Sequence, residues 1–167
     1  TNYSLISDAN SGGTCFYVLA NNVTLDCHGY EINYSQSVVG YGVNISSFNS
    51  STIRSCNIVQ TSAALNSYGI YIFNNANNNV VFNDSITTSG GGAGGVFLTA
   101  TAYNNSVYGN TITISGVGTT SGVALTSTAY NNSVYSNTIT TSGTNGYGVY
   151  LFSTAYSNNI YSNNITT

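Results

Sequence analysis

The chain has 167 residues, 41% of them hydrophobic, with a single Lys or Arg against four Asp or Glu and a formal net charge of −3. One cation gives no basic patch with which to hold nucleic acid or an anionic membrane surface. No apolar run reaches the length of a membrane span.

Residues 1–13 stand outside the repeat that governs the rest of the chain, and Tyr3, Leu5 and Ile6 read as an N-terminal arm or capping strand. The chain opens on Thr with no apolar leader, which reads as a processed, exported form.

From residue 14 to residue 167 one unit recurs every 26–28 residues. Its plainest copy is Ala102–Thr113. That stretch returns almost letter for letter at Ala129–Thr140, more loosely at Ala155–Thr166, and faintly at Ala76–Thr87. Gly42, Gly69, Gly95, Gly122 and Gly148 mark the period at intervals of 27, 26, 27 and 26. Each glycine precedes an alternating aliphatic pair: Val43 and Ile45, Ile70 and Ile72, Val96 and Leu98, Val123 and Leu125, Val149 and Leu151. A second column holds Ile53, Val81, Val107, Val134 and Ile160. A third holds Ile58, Ile86, Ile112, Ile139 and Ile165. Phe16, Val18, Leu25 and Ile32 extend the same columns into the first coil.

Alternation of this kind marks strands with one buried face, and no helix-period segment separates them. A fixed period of this size points to a repeat architecture, and helical solenoids and propeller blades need roughly 33–47 residues per unit. The spaced Leu and Asn of leucine-rich repeats are absent. Equivalent strands must then stack in parallel, about 4.8 Å apart. The expected fold is all-β: one right-handed parallel β-helix of about six coils, three short strands per coil, about 30 Å long at that spacing. Val, Ile, Leu and Phe should face inward, with Thr, Ser and Tyr outward.

The opening coil, Gly13–Ile32, and the motif Ser51-Thr-Ile-Arg-Ser-Cys-Asn-Ile58 resemble right-handed parallel β-helix repeat proteins, the pectate-lyase-like solenoids of secreted and surface proteins. The resemblance runs over nearly the whole chain after residue 12. It implies the fold and leaves function open, since that family holds lyases, hydrolases, epimerases, adhesins and structural proteins. The family's catalytic residues have no counterpart at any matched position here.

Asn110, Asn137 and Asn163 lie two residues before the isoleucine column, where Asp84 and Cys56 also fall, and His28 reads as the equivalent residue of the first coil. The three asparagines read as a ladder bonded along the stack. Tyr108, Tyr135 and Tyr161 form one outward column and Tyr103, Tyr130 and Tyr156 another, suited to mutual stacking or to a contact face for sugar rings or a neighbouring subunit. Cys15, Cys27 and Cys56 allow one disulfide and leave the pairing open. Sequons begin at Asn2, Asn22, Asn33, Asn44, Asn49, Asn83, Asn104, Asn131 and Asn164; Asn22, Asn49, Asn104 and Asn131 are expected to share one edge of the solenoid.

Asp8, Asp26, Glu31, Arg54, Asp84 and His28 are the whole charged and imidazole inventory. They show neither metal-ligand spacing nor the flanking carboxylates of a glycosidase; Asp26 and Arg54, in register on adjacent coils, read as an ion pair. No catalytic residue, cofactor or metal site is expected. The leading expectation is a non-enzymatic structural protein outside the cell, stacked head to tail into a surface filament or layer. A carbohydrate-binding or adhesive module is the alternative, and a polysaccharide-active enzyme a distant third. Self and glycans are the expected partners.

Overall fold

The computed structural model describes residues 1–167 and contains strands but no helix. The strands run in chain order, three to a coil. The first two coils hold β1 (Asn2–Ser4), β2 (Ala9–Asn10), β3 (Phe16–Val18), β4 (Thr24–Asp26), β5 (Glu31–Tyr34) and β6 (Tyr41–Ser46). The next two hold β7 (Thr52–Arg54), β8 (Asn57–Gln60), β9 (Tyr68–Phe73), β10 (Val80–Phe82), β11 (Ser85–Thr88) and β12 (Gly94–Leu98). There follow β13 (Ser106–Tyr108), β14 (Thr111–Ile114), β15 (Thr119–Leu125), β16 (Ser133–Tyr135), β17 (Thr138–Thr141), β18 (Asn145–Leu151), β19 (Asn159–Tyr161) and β20 (Asn164–Thr166).

Every third strand pairs in parallel. Sheet A runs β1-β4-β7-β10-β13-β16-β19, sheet B runs β2-β5-β8-β11-β14-β17-β20, and sheet C runs β3-β6-β9-β12-β15-β18. The three sheets wrap one interior, so the chain is a parallel β-solenoid of six full coils with a further strand in sheets A and B.

The expected columns stand in register. Leu25, Ile53, Val81, Val107, Val134 and Ile160 pair in turn through sheet A. Ile32, Ile58, Ile86, Ile112, Ile139 and Ile165 do so through sheet B. Phe16, Val43, Ile70, Val96, Val123 and Val149 do so through sheet C. The middle members are fully buried, while Thr111 and Thr113 of β14 alternate with Ile112 and Ile114 and are exposed. This is the period-two alternation of a strand with one dry face.

Residues 1–13 carry two strands. β1 pairs with β4, Tyr3 opposite Leu25, and β2 pairs with β5, Ala9 opposite Ile32. They are the first two strands of the first coil. Their offsets to the next coil, 22 and 23 residues, are shorter than the repeat, because the corners between these strands are tighter.

From β4 onward the turn from sheet A to sheet B passes through the left-handed region at His28, Ser55, Asn83, Gly109, Ser136 and Ser162, with φ of 50–65°, and His28 is followed by Gly29 at 85°. Short polar side chains and glycine accept that conformation at least cost. In sheet C the marker glycines stack backbone on backbone. A Cβ on Gly95 would lie 2.5 Å from Ile112 Cγ2 and 2.6 Å from the Gly122 carbonyl oxygen.

Candidate functional site

Polar side chains pair along the solenoid axis rather than converging on a pocket. At the corner from sheet A to sheet B, Asn110 donates through Nδ2 to Asn137 Oδ1 (3.0 Å), and Asn137 to Asn163 Oδ1 (2.9 Å). Each Oδ1 also accepts the backbone N–H of the ladder residue one coil before. Each Nδ2 reaches a second acceptor, the Val81, Val107 or Val134 carbonyl. The ladder therefore satisfies corner backbone groups that would otherwise be buried unpaired.

A second ladder of the same design runs along the corner from sheet C to sheet A. Asn79, Asn105, Asn132 and Asn158 link Nδ2 to Oδ1 at 3.0–3.1 Å, and their amides donate to the Phe48, Ala76, Ala102 and Ala129 carbonyls. These asparagines stand two residues before the valine column, as the first set stands two before the isoleucine column. That shared spacing is the sequence signal for them. Replacing Asn132 by Ala removes the acceptor of the Asn105 N–H and Nδ2, both buried. The expected loss is about 2–6 kcal/mol, two unsatisfied donors at about 1–3 kcal/mol each. Asn131→Ala, one residue earlier and exposed at φ 53°, should cost about 1 kcal/mol. Denaturant unfolding of the two variants separates them; equal losses would remove the ladder from the account of stability.

The tyrosine columns are stacks. Phe82, Tyr108, Tyr135 and Tyr161 follow one another at centroid distances of 4.9–5.2 Å with planes within 9°. Tyr103, Tyr130 and Tyr156 repeat this at 5.0–5.1 Å within 7°. Ring faces are turned on one another, and outward the columns show edges and hydroxyls. Burial and the neighbouring phenols push the Tyr130 and Tyr135 pKa up. A sugar ring packs on a free aromatic face, and the inner members of these columns have both faces covered by their neighbours.

Sheet C carries further rings outside the two columns: Tyr41, Tyr68 and Phe97 in one run, Tyr71 and Phe73 beside it, and a separate group of Tyr147, Tyr150 and Phe152. Their strand positions vary from coil to coil, so no fixed-period column announces them in the sequence.

Cys27 and Cys56 form a disulfide across two coils, Cα to Cα 4.7 Å. Cys15 is a half-buried free thiol whose pKa burial raises. Cys27, and not His28, is the neighbour of Cys56 along the stack: the second coil spends seven residues from Leu25 to Ile32 where the next spends five from Ile53 to Ile58. His28 is thereby turned outward, exposed, with its ring 3.7 Å from Asp26. Asp26 pairs with Arg54 at 2.8 Å, as the register anticipates; with Arg54 largely in solvent, such a pair adds little stability. Asp84 is 2% exposed and stands in the first asparagine ladder.

Among the sequons, Asn2, Asn22, Asn83, Asn104, Asn131 and Asn164 are exposed. Asn33 and Asn49 are half-buried and accept side-chain hydrogen bonds from Thr61 and Asn77. Asn44 lies buried within β6. Asn22, Asn104 and Asn131 share a left-handed corner column; in the coil of Asn49 that place belongs to Ser50, φ 58°, and Asn49 lies one residue earlier, so the four do not share one column.

Two surface grooves bear on these corners and ends. One, about 420 Å³, is polar and lies over the sheet A to sheet B corner between Gly29, Ser55, Asn83 and Ser85. The other, about 570 Å³, is apolar and opens at the first coil between Tyr3, Leu5, Phe16, Val18, Val23 and Leu25. No three His, Cys, Asp or Glu side chains come together as metal ligands, and no helix is long and apolar enough to cross a membrane. Comparison with protein-family models, with curated proteins and with solved structures finds no match to this chain. What stands is the parallel β-solenoid fold itself.

Proposed function

We propose that the chain is a non-enzymatic structural rod of an extracellular assembly, extended by head-to-tail association of copies. The observation that carries this reading is the direction of its interactions. Asparagines, tyrosines, strands and apolar columns each engage the equivalent residue one coil away along the axis, and the unpaired ends of all these rows lie on two faces. At one face are the outer edges of β18, β19 and β20, with Leu151, Phe152 and Ile165 43–46% exposed. At the other are the outer edges of β1, β2 and β3 and the apolar groove between Tyr3 and Leu25. Each face presents three unpaired strand edges around an apolar interior. More of the same polypeptide would fit either face as well; the proposal is that a second copy fills it. Such a contact is heterologous and propagates unless rotation closes it.

Export is part of the reading, supported by the Cys27–Cys56 disulfide and by six exposed sequons, on which glycans would keep a nearly uncharged rod soluble. Kinship with the pectate-lyase-like proteins belongs to it too, supported by the opening-coil pattern. The carbohydrate-binding alternative is weaker, because the stacked columns leave few ring faces free.

Sedimentation velocity of the 167-residue chain tests the reading. The wild type is expected to form a concentration-dependent series of larger species. Ile165→Lys, which places a charge on one end face, should hold it monomeric, and Thr113→Lys, on an exposed side, should not. A wild type that stays monomeric at high concentration, or an assembly blocked equally by both variants, would overturn the end-to-end contact.

A further inference from the structure

Asp84 differs from the ladder asparagines in one atom, and that atom has no partner. Its Oδ1 accepts the Cys56 N–H at 2.8 Å, and its own N–H donates to Asn110 Oδ1 at 2.9 Å, as for every other rung. Its Oδ2 is buried without a hydrogen bond. At Asn110 and Asn137 the corresponding atom is Nδ2, which donates to two acceptors: the next rung's Oδ1 and a valine carbonyl one coil back. By the same register, Asp84 Oδ2 faces Asn110 Oδ1 and the carbonyl of Ile53, the partner of Val81. Both are acceptors. A carboxylate there meets two oxygens; a carboxylic acid supplies the missing donor.

We infer that Asp84 is a proton-operated rung: protonated on Oδ2 it completes the corner ladder as an asparagine does, and ionised it opens the ladder between the disulfide-linked coils and the rest of the rod. The surroundings agree. Burial raises the Asp84 pKa from 3.8 to about 7; the Cys56 N–H opposes that rise and the charge of Asp26 adds to it. Asp26 lies on β4, already paired with Arg54 of β7 and beside His28, so that cation is engaged elsewhere. Glu31, at the start of β5, accepts from Asn57, and Asp8 accepts the Glu31 N–H. The neighbouring cysteines are oxidised, and the following rungs, Asn110 and Asn137, do not titrate. No cation remains to hold an ionised Asp84.

The direction with pH follows. Between about pH 4 and pH 7 the folded chain keeps a proton that the unfolded chain has released, so stability falls as pH rises through that window and levels off above it. The thermal midpoint of the oxidised 167-residue chain is expected to fall by about 5–10 °C from pH 5 to pH 8. Asp84→Asn should remove most of that fall and melt higher than the wild type at pH 8. Asp26→Asn should keep most of it. An Asp84→Asn chain with the wild type's pH dependence, or less stable than it at pH 8, would overturn the proposal. The side-chain carboxyl carbon of Asp84, followed by NMR in the wild type, decides without any variant. Titration near neutrality supports the rung, and titration in the ordinary carboxylate range refutes it.

Discussion

Ile112→Asp is expected to abolish cooperative folding of the coils around it, while Thr113→Asp leaves the melting curve nearly unchanged. The two positions are neighbours on β14. Ile112 is fully buried between Ile86 and Ile139, with Gly95 of sheet C closed against its Cγ2. A carboxylate there would have no donor and no counter-ion, and burying it unpaired falls among the few mechanisms that cost more than about 4 kcal/mol. That is a large part of the 5–15 kcal/mol that holds an ordinary domain together. Thr113 points to solvent between Thr87 and Thr140, and an exposed change of this kind costs about 0.5 kcal/mol or less. Thermal denaturation followed by circular dichroism reads the difference; comparable losses would mean that the assigned faces are wrong.

Gly95→Ala is expected to cost about 3 kcal/mol, at the upper end of what one added methyl does in a packed interior. The new Cβ would meet Ile112 Cγ2 at 2.5 Å and the Gly122 carbonyl oxygen at 2.6 Å. The isoleucine could turn, but the Gly122 carbonyl belongs to the next coil's backbone, and moving it would disturb the pairing of β12 with β15. Gly118→Ala is the comparison. No atom lies within 4 Å of the Cβ it would carry, and only the left-handed conformation, φ 83°, opposes it, at about 1–2 kcal/mol. Urea midpoints for the two variants should rank in that order. Equal midpoints would show that the glycine column is tolerated as a turn device and is not required for close backbone approach.

The columns were legible because two periods coincide. The two-residue alternation of a strand and the near-constant length of a coil place Val107 over Val81 and Ile112 over Ile86. Legibility ended where coil length changed. Tyr3 and Ala9 sit only 22 and 23 residues before their partners, so residues 1–13 read as lying outside the repeat. Two extra residues in the corner between β4 and β5 gave His28 a place that belongs to Cys27. The ladder of Asn79, Asn105, Asn132 and Asn158 was within reach, since it keeps the same two-residue offset from an aliphatic column. The disulfide was not, because three cysteines at one end of a solenoid leave their distances to the corner geometry. The aromatic stacks were visible as columns, but ring orientation, which separates a stacked column from a sugar platform, is a property of packing alone. The unpartnered oxygen of Asp84 was equally hidden: in the sequence it is one Asp in a column of Asn.

In the proposed assembly, interactions that run along the axis of one solenoid would continue into the next copy. Cryo-electron microscopy of the oxidised chain at high concentration tests this most directly. The prediction is unbranched rods one solenoid wide, with parallel strands about 4.8 Å apart passing without a break from β18, β19 and β20 of one copy to β1, β2 and β3 of the next. Dispersed single solenoids, or assemblies joined side by side through the rings of sheet C, would contradict it.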